Sequence, residues 1–180
     1  MTKEQKLGYL ARAIKKNYPK RVLVFNDGSP NADLMIIGEA PGGDEEKQGK
    51  PFIGRAGKLL NKTLEALGWQ RSDFYVSNIV KYRPQDDEGK TLTPTEKEIE
   101  LFRPSLEKEI SVVDPKAIIV LGRIAMTGLG ISGTISNNHG KVFELNGRKV
   151  LVIYHPAAIL RNPNLEENFR VGLGKIKTLV

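Results

Sequence analysis

Hydrophobic and polar positions recur along these 180 residues with two periods, one helical and one of continuous apolar runs. Thr2-Lys3-Glu4-Gln5 has the form of a capping box, and Leu7, Leu10, Ala11 and Ile14 then fall on one helical face. Residues 22–25 read as a short strand, followed by a turn-rich break over 26–31. Leu34-Met35-Ile36-Ile37 is an unbroken apolar run stopping at Gly38, the mark of a strand covered on both faces. Residues 39–55 are rich in glycine, lack any period and read as one long loop. A helix carrying Ala56, Leu59, Leu60, Thr63, Leu64 and Leu67 follows, closed by Gly68.

The second strand covers 74–80 and leads into a polar loop over 81–92. Thr93-Pro94-Thr95-Glu96 supplies an N-cap, a first-turn proline and a capping glutamate for a helix running to Val112. A third apolar strand, 117–121, ends at Gly122 with a short helix after it. Segments 141–145 and 149–154 flank Asn146-Gly147, a strong hairpin signal. From Asn164 a terminal helix carries Leu165, Phe169, Leu173 and Ile176. Apolar strands alternating with amphipathic helices predict an α/β fold with a mostly parallel central sheet. With no internal repeat or low-complexity break, the expectation is one domain over residues 1–180. Ligands of such sheets bind beyond the carboxyl ends of the strands. Glu39, Asn78, Gly122 and His155-Pro156 occupy those ends, so a carboxylate, an amide and an imidazole converge on one rim.

Composition narrows the chemistry. Cysteine is absent, which excludes disulfides, thiolate nucleophiles, cysteine-based zinc sites and Fe–S clusters. No run approaches the roughly 18 apolar residues of a membrane span, and the first residues carry no apolar leader, so a cytoplasmic protein without membrane association is expected. Lys and Arg number 28 against 21 Asp and Glu, a net charge of +7 that invites nucleic acid without specifying it. Gly89-Lys90-Thr91 imitates the end of a P-loop, but Pro84 stands where its first glycine belongs. Thr134 breaks the nucleophile-elbow spacing after Gly130-Ile131-Ser132-Gly133. His139 and His155 have no ligand-like partners for a shared metal.

Four blocks remain: Gly38-Glu39-Ala40-Pro41-Gly42; Gly49-Lys50-Pro51-Phe52-Ile53-Gly54-Arg55-Ala56-Gly57; Ser77-Asn78-Ile79-Val80-Lys81-Tyr82-Arg83-Pro84; and Tyr154-His155-Pro156-Ala157-Ala158-Ile159-Leu160-Arg161. In order and spacing, from Val24 to Arg161, they resemble the family 4 uracil-DNA glycosylases. The resemblance implies a three-layer α/β/α sandwich around a four-stranded, mostly parallel sheet. It also implies hydrolysis of the N-glycosidic bond of uracil in DNA. Such an enzyme must extrude the base, read its edge, stabilise the leaving anion and deliver water to the sugar. By the same resemblance, Glu39 positions the water and His155 donates to uracil O2. Phe52 stacks on the base, Asn78 pairs with its N3–H and O4, and Ala40 joins the base pocket.

Leu160 is the expected wedge into the vacated stack, with Ile159 the alternative. Arg55, Lys81, Arg83 and Arg161 are expected phosphate contacts. No lysine stands as a Schiff-base nucleophile, so a monofunctional enzyme without metal or cofactor is expected. It would act as a monomer on single- or double-stranded uracil-containing DNA. Two alternatives stay open: a broader glycosylase acting on hypoxanthine or xanthine, and a catalytically weak DNA-binding module of the same fold. The pattern departs from the family in its cluster. Tyr82 and Phe102 occupy positions where relatives carry two of four [4Fe–4S] cysteines, and no cysteine occurs in the first twenty residues either. The cluster is therefore expected to be absent, with Tyr82 and Phe102 packing aromatic surface in its place. His139, where relatives often have arginine, reads as an exposed loop histidine.

Overall fold

The computed structural model describes residues 1–180. The capping box at Thr2 opens helix α1 (Lys3–Asn17), with Gln5 N–H and Thr2 N–H each bonded to the other residue's side chain. Strand β1 (Leu34–Gly38) follows, then α2 (Gly43–Gln48), α3 (Arg55–Ala66) and β2 (Phe74–Asn78). The long helix α4 (Glu96–Val113) leads to β3 (Ala117–Leu121), and then come α5 (Gly122–Gly128) and α6 (Ile135–Asn138). The hairpin β4 (Val142–Leu145) and β5 (Arg148–Ile153) precedes α7 (Pro156–Arg161) and α8 (Glu166–Gly174).

The sheet has five strands in the order β2-β1-β3-β5-β4. The first four are parallel, and β4 adds antiparallel to β5 at the edge. The expected four-stranded sheet thus gains a fifth, because the Asn146-Gly147 turn returns β4 alongside β5 in register, Phe143 opposite Val150. Residues 22–25 form no strand. Leu23 makes only an isolated bridge to Tyr82, and Val24 N–H donates to the Lys81 carbonyl at 2.7 Å.

Strand alternation sends two apolar sets to opposite faces. Met35, Ile37, Tyr75, Ile118 and Val120 pack with Leu7, Phe102, Leu106 and Ile124 from α1, α4 and α5. Leu34, Ile36, Phe74, Val76 and Ile119 pack with Leu60, Leu64, Ile159, Phe169 and Leu173 from α3, α7 and α8. The result is the three-layer α/β/α sandwich. From β1 the chain crosses one way to β2, and from β3 it crosses the other way to β5. The carboxyl ends of β1 and β3 therefore flank a topological switch point, where such folds place ligands.

Several boundaries move: the strand expected over 74–80 ends at Asn78, the one expected over 149–154 runs Arg148–Ile153, and the terminal helix starts at Glu166 after a single 3-10 turn. Residues 39–55 contain the short helix α2, which buries no side chain and so left no hydrophobic period to read. The N-cap of α4 is Thr95, not Thr93. Glu98 N–H donates to Thr95 Oγ1 at 3.2 Å and Thr95 N–H donates to Glu98 Oε2 at 2.8 Å, the reciprocal pair that Thr95 and its third neighbour allow.

Candidate active site

β1 and β2 continue to pair beyond their ends: Ile79 N–H donates to the Gly38 carbonyl at 2.9 Å and Val80 N–H to the Glu39 carbonyl at 3.0 Å. This ladder sets Asn78 beside Gly38. Asn78 is 2% exposed, and its Oδ1 accepts no hydrogen bond from the protein. A buried acceptor left unpaired costs about 1–3 kcal/mol, and native structures hold few of them.

Phe52 lies over the same point. Its φ of 54° is left-handed, a conformation that costs a non-glycine residue about 1–3 kcal/mol and persists only where the surroundings enforce it. Those surroundings are two glycines. A Cβ on Gly57 of α3 would collide with the Phe52 carbonyl, and one on Gly38 would collide with both the Phe52 ring and Asn78 Oδ1. The ring is thereby pressed against the floor of the site, with its centre 5.9 Å from the His155 imidazole.

His155 is the N-cap of α7, with Pro156 at the first helical position. Its Nδ1 accepts from Ala157 N–H at 3.1 Å, so the ring proton of the neutral form sits on Nε2. Burial, reinforced by the Arg161 charge, pushes its pKa down to about 4. Glu39 shifts the other way. Burial raises its carboxyl above the usual range, while the charges of Arg123 and Arg161 pull it partly back.

Glu39, Ala40, Phe52, Asn78 and His155 line one open cavity of about 480 Å³, with Arg55 and Arg161 among its walls. Residues 91–93 close another side. Glu45 also reaches the cavity, where its Oε1 accepts from the N–H of Gly54, the N-cap of α3, at 3.0 Å. Of the two wedge candidates, Ile159 is 3% exposed within the packed layer, whereas Leu160 is 41% exposed.

Two expected phosphate contacts do not stand on this rim. Lys81 is 1% exposed, and its ammonium donates to Glu109 Oε2 at 2.6 Å, Ser77 Oγ at 2.6 Å and the Asn78 carbonyl at 2.8 Å. It is a core cation, with no path to DNA. Arg83 turns its guanidinium to the protein, donating to Thr91 Oγ1 at 2.7 Å, the Gly89 carbonyl at 2.9 Å and Glu46 at 3.4 Å. Arg123 was missed by sequence reasoning. It follows β3 directly, and its rim position beside Gly122 was the available signal.

His139 is not an exposed loop histidine. It is half-buried, stacks on Tyr154 at 4.1 Å, bonds through Nε2 to the Asn168 carbonyl at 2.8 Å and accepts from Tyr154 N–H at Nδ1 at 3.0 Å. It therefore pins the end of β5, one residue before His155, to α8.

Tyr82 and Phe102, which the resemblance set at cluster-ligand positions, do not fit a thiolate-ligated cluster. Tyr82 meets Phe102 edge-on at 5.6 Å, and Tyr18 stacks on Phe102 at 4.9 Å. Arg21 lies over the Tyr82 ring at 4.6 Å, and the Tyr82 hydroxyl donates to Glu98 Oε1 at 2.6 Å. Rings fill the space, no thiolate is available, and no group of three or more His, Cys, Asp or Glu side chains is arranged to hold a metal.

Comparison with known proteins agrees with this geometry. The profile of the uracil DNA glycosylase superfamily matches residues 25–173. The chain is 39% identical to the type-4 uracil-DNA glycosylase of Archaeoglobus fulgidus, over 84% of this chain and 79% of that one. It is 38% identical to the type-4 enzyme of Sulfurisphaera tokodaii, over 87% and 74% respectively. To that of Saccharolobus solfataricus it is 41% identical, over 82% and 73%. A cavity at the switch point of a parallel sheet, an orphaned amide on its floor and a match across most of the chain lead to one assignment: the protein belongs to the uracil-DNA glycosylase superfamily, in the company of its type-4 members.

Proposed function

We propose that the chain hydrolyses the N-glycosidic bond of uracil in DNA, extruding the base into the cavity over Asn78. The observation that carries this reading is the unpaired, buried Oδ1 of Asn78, a cavity-lining residue; that oxygen and the Phe52 ring both crowd against Gly38. A lone acceptor at that depth calls for a ligand N–H. Uracil presents one at N3, beside an O4 that accepts from Nδ2; cytosine presents the inverse pattern. The Phe52 ring supplies a flat face for stacking, worth about 1–3 kcal/mol per base.

As the bond between C1′ and N1 breaks, its electron pair passes to the uracil ring and accumulates at O2. His155 donates from Nε2–H as a neutral imidazole, so no proton need be loaded first. Glu39 orients the water that adds to C1′ and takes its proton, and its carboxylate offsets the positive charge developing on the sugar. Its raised pKa favours that acceptance. Leu160 enters the vacated stack, while Arg55 and Arg161 hold flanking phosphates of single- or double-stranded DNA. These steps draw on the chain's own residues.

The test is an oligonucleotide with a single uracil, incubated with the protein and then cleaved by alkali at the abasic site. Strand cleavage is expected with uracil and not with cytosine. Tight DNA binding without cleavage would leave a binding module instead. Parallel oligonucleotides carrying hypoxanthine and xanthine define the base range.

A further inference from the structure

We propose that Lys81 and Glu109 are positioning residues for Asn78, a buried ion pair that fixes the backbone from which the base-reading amide projects. This rests on the reading of Asn78 as the base reader. Five polar or charged residues are buried in the protein, and four of them, Ser77, Asn78, Lys81 and Glu109, meet here. Glu109 reaches from α4 to the sheet, where its Oε1 accepts from the Tyr75 hydroxyl at 2.7 Å and from Ser77 Oγ at 2.9 Å. Its Oε2 takes the Lys81 ammonium, which directs its remaining donors to Ser77 Oγ and the Asn78 carbonyl.

Side chains alternate along β2, so Tyr75 and Ser77 face α4 while Phe74, Val76 and Asn78 face the other layer. The network therefore lies across the sheet from the cavity and reaches Asn78 only through its carbonyl. That is the hold available from this side, because Asn78 Oδ1 has no partner of its own. Tyr75, Ser77 and Lys81 bind one α4 carboxylate, so the β2 end cannot rotate without breaking several charge-assisted bonds together. Apolar residues fill buried ion-pair positions without loss of stability in many proteins. Specific placement of the β2 end is what the pair adds.

The test pairs Lys81→Met with Glu109→Gln. The amide oxygen that Glu109→Gln leaves in place would still accept from Tyr75 and Ser77, and Met keeps the lysine stem's volume. The missing element is then the charged anchor on the Asn78 carbonyl. The expected result is a melting temperature lowered by only a few degrees, the cost of the buried donor that Glu109→Gln leaves facing an apolar side chain, and unchanged affinity for DNA containing an abasic-site analogue. Single-turnover uracil excision should fall roughly tenfold to a hundredfold, the cost of a small misplacement. In 15N-labelled protein without DNA, the Asn78 side-chain amide signals should shift or broaden. Excision within about twofold of the parent with unmoved amide signals overturns the proposal. Equal losses of excision, DNA affinity and melting temperature also overturn it, by making the pair merely structural.

Asn78→Ala runs alongside. If it excises uracil at the parental rate, the base-reader assignment fails and takes this inference with it. If it is inactive while the double variant is fully active, positioning alone fails. Should the double variant not fold, Ser77→Ala removes two bonds of the network and no charge. A several-fold loss of excision at constant DNA affinity is then expected, and no loss overturns the proposal.

Discussion

His155 is kept neutral by burial and by the neighbouring Arg161 charge, and its tautomer is set by the Ala157 N–H. Its pKa falls from 6.5 to about 4, so the folded state disfavours the imidazolium. The associated stability is complete above the ordinary value and is lost as pH falls through about 4. Melting temperature measured between those two values should drop more steeply for the parent than for His155→Asn. His139 is shifted the same way, chiefly by burial, and adds to the slope in both proteins. Activity follows a different group. In the proposed mechanism Glu39 orients water as a carboxylate, and burial raises its carboxyl, so the acidic limb of kcat/KM should lie above the ordinary carboxylate range. Because a raised pKa means the charged carboxylate opposes folding, Glu39→Gln should melt about 1–3 °C higher near neutral pH while excision collapses. At Phe52, leucine should preserve the fold and lower excision by roughly tenfold or more, because the apolar volume stays and the stacking face goes.

At the scale of elements, the long α4 couples the candidate site to the aromatic cluster. Glu98 both completes the Thr95 capping box and accepts from the Tyr82 hydroxyl, so one side chain fastens the start of the helix to the segment after β2. Tyr82→Phe should cost about 1 kcal/mol in urea unfolding, whereas Phe102→Ala should cost about 3–5 kcal/mol. Both differences are read from midpoint shifts at constant slope. The same helix shows what a sequence can and cannot disclose. Its apolar period and its end before Asp114 were legible. Its start was misplaced, because Thr93 with Glu96 has the same capping spacing as the Thr95–Glu98 pair that forms, and the bond from the Tyr82 hydroxyl to Glu98 is tertiary and invisible in the local pattern. The convergence of Glu39, Asn78 and His155 on one cavity was legible, since a parallel sheet directs strand-end positions to one rim. The fate of Lys81 was hidden, because its partner Glu109 is 28 residues away on another element. Charge alone does not distinguish a core ammonium from a phosphate ligand. Phe52's left-handed backbone was equally hidden, being imposed by close approach to Gly57 and Gly38.

Over the whole molecule, the +7 charge has become a distribution. Lys81 and Arg83 are internally committed, while Arg55 and Arg161 stand at the cavity and are the proposed phosphate contacts. Replacing either with alanine should weaken binding uniformly across DNA sequences and reduce the salt slope of log K by about 1. Titrations at several salt concentrations would show it, and the Lys81→Met, Glu109→Gln double variant should leave that slope unchanged. The aromatic cluster of Tyr18, Tyr82 and Phe102 also bears on where such a protein can work. Rings and a carboxylate have no oxidation state to lose to oxygen and no metal to surrender to a chelator. That corner of the fold offers no thiolate to an iron–sulfur cluster and is held by ring packing and the Tyr82–Glu98 bond instead.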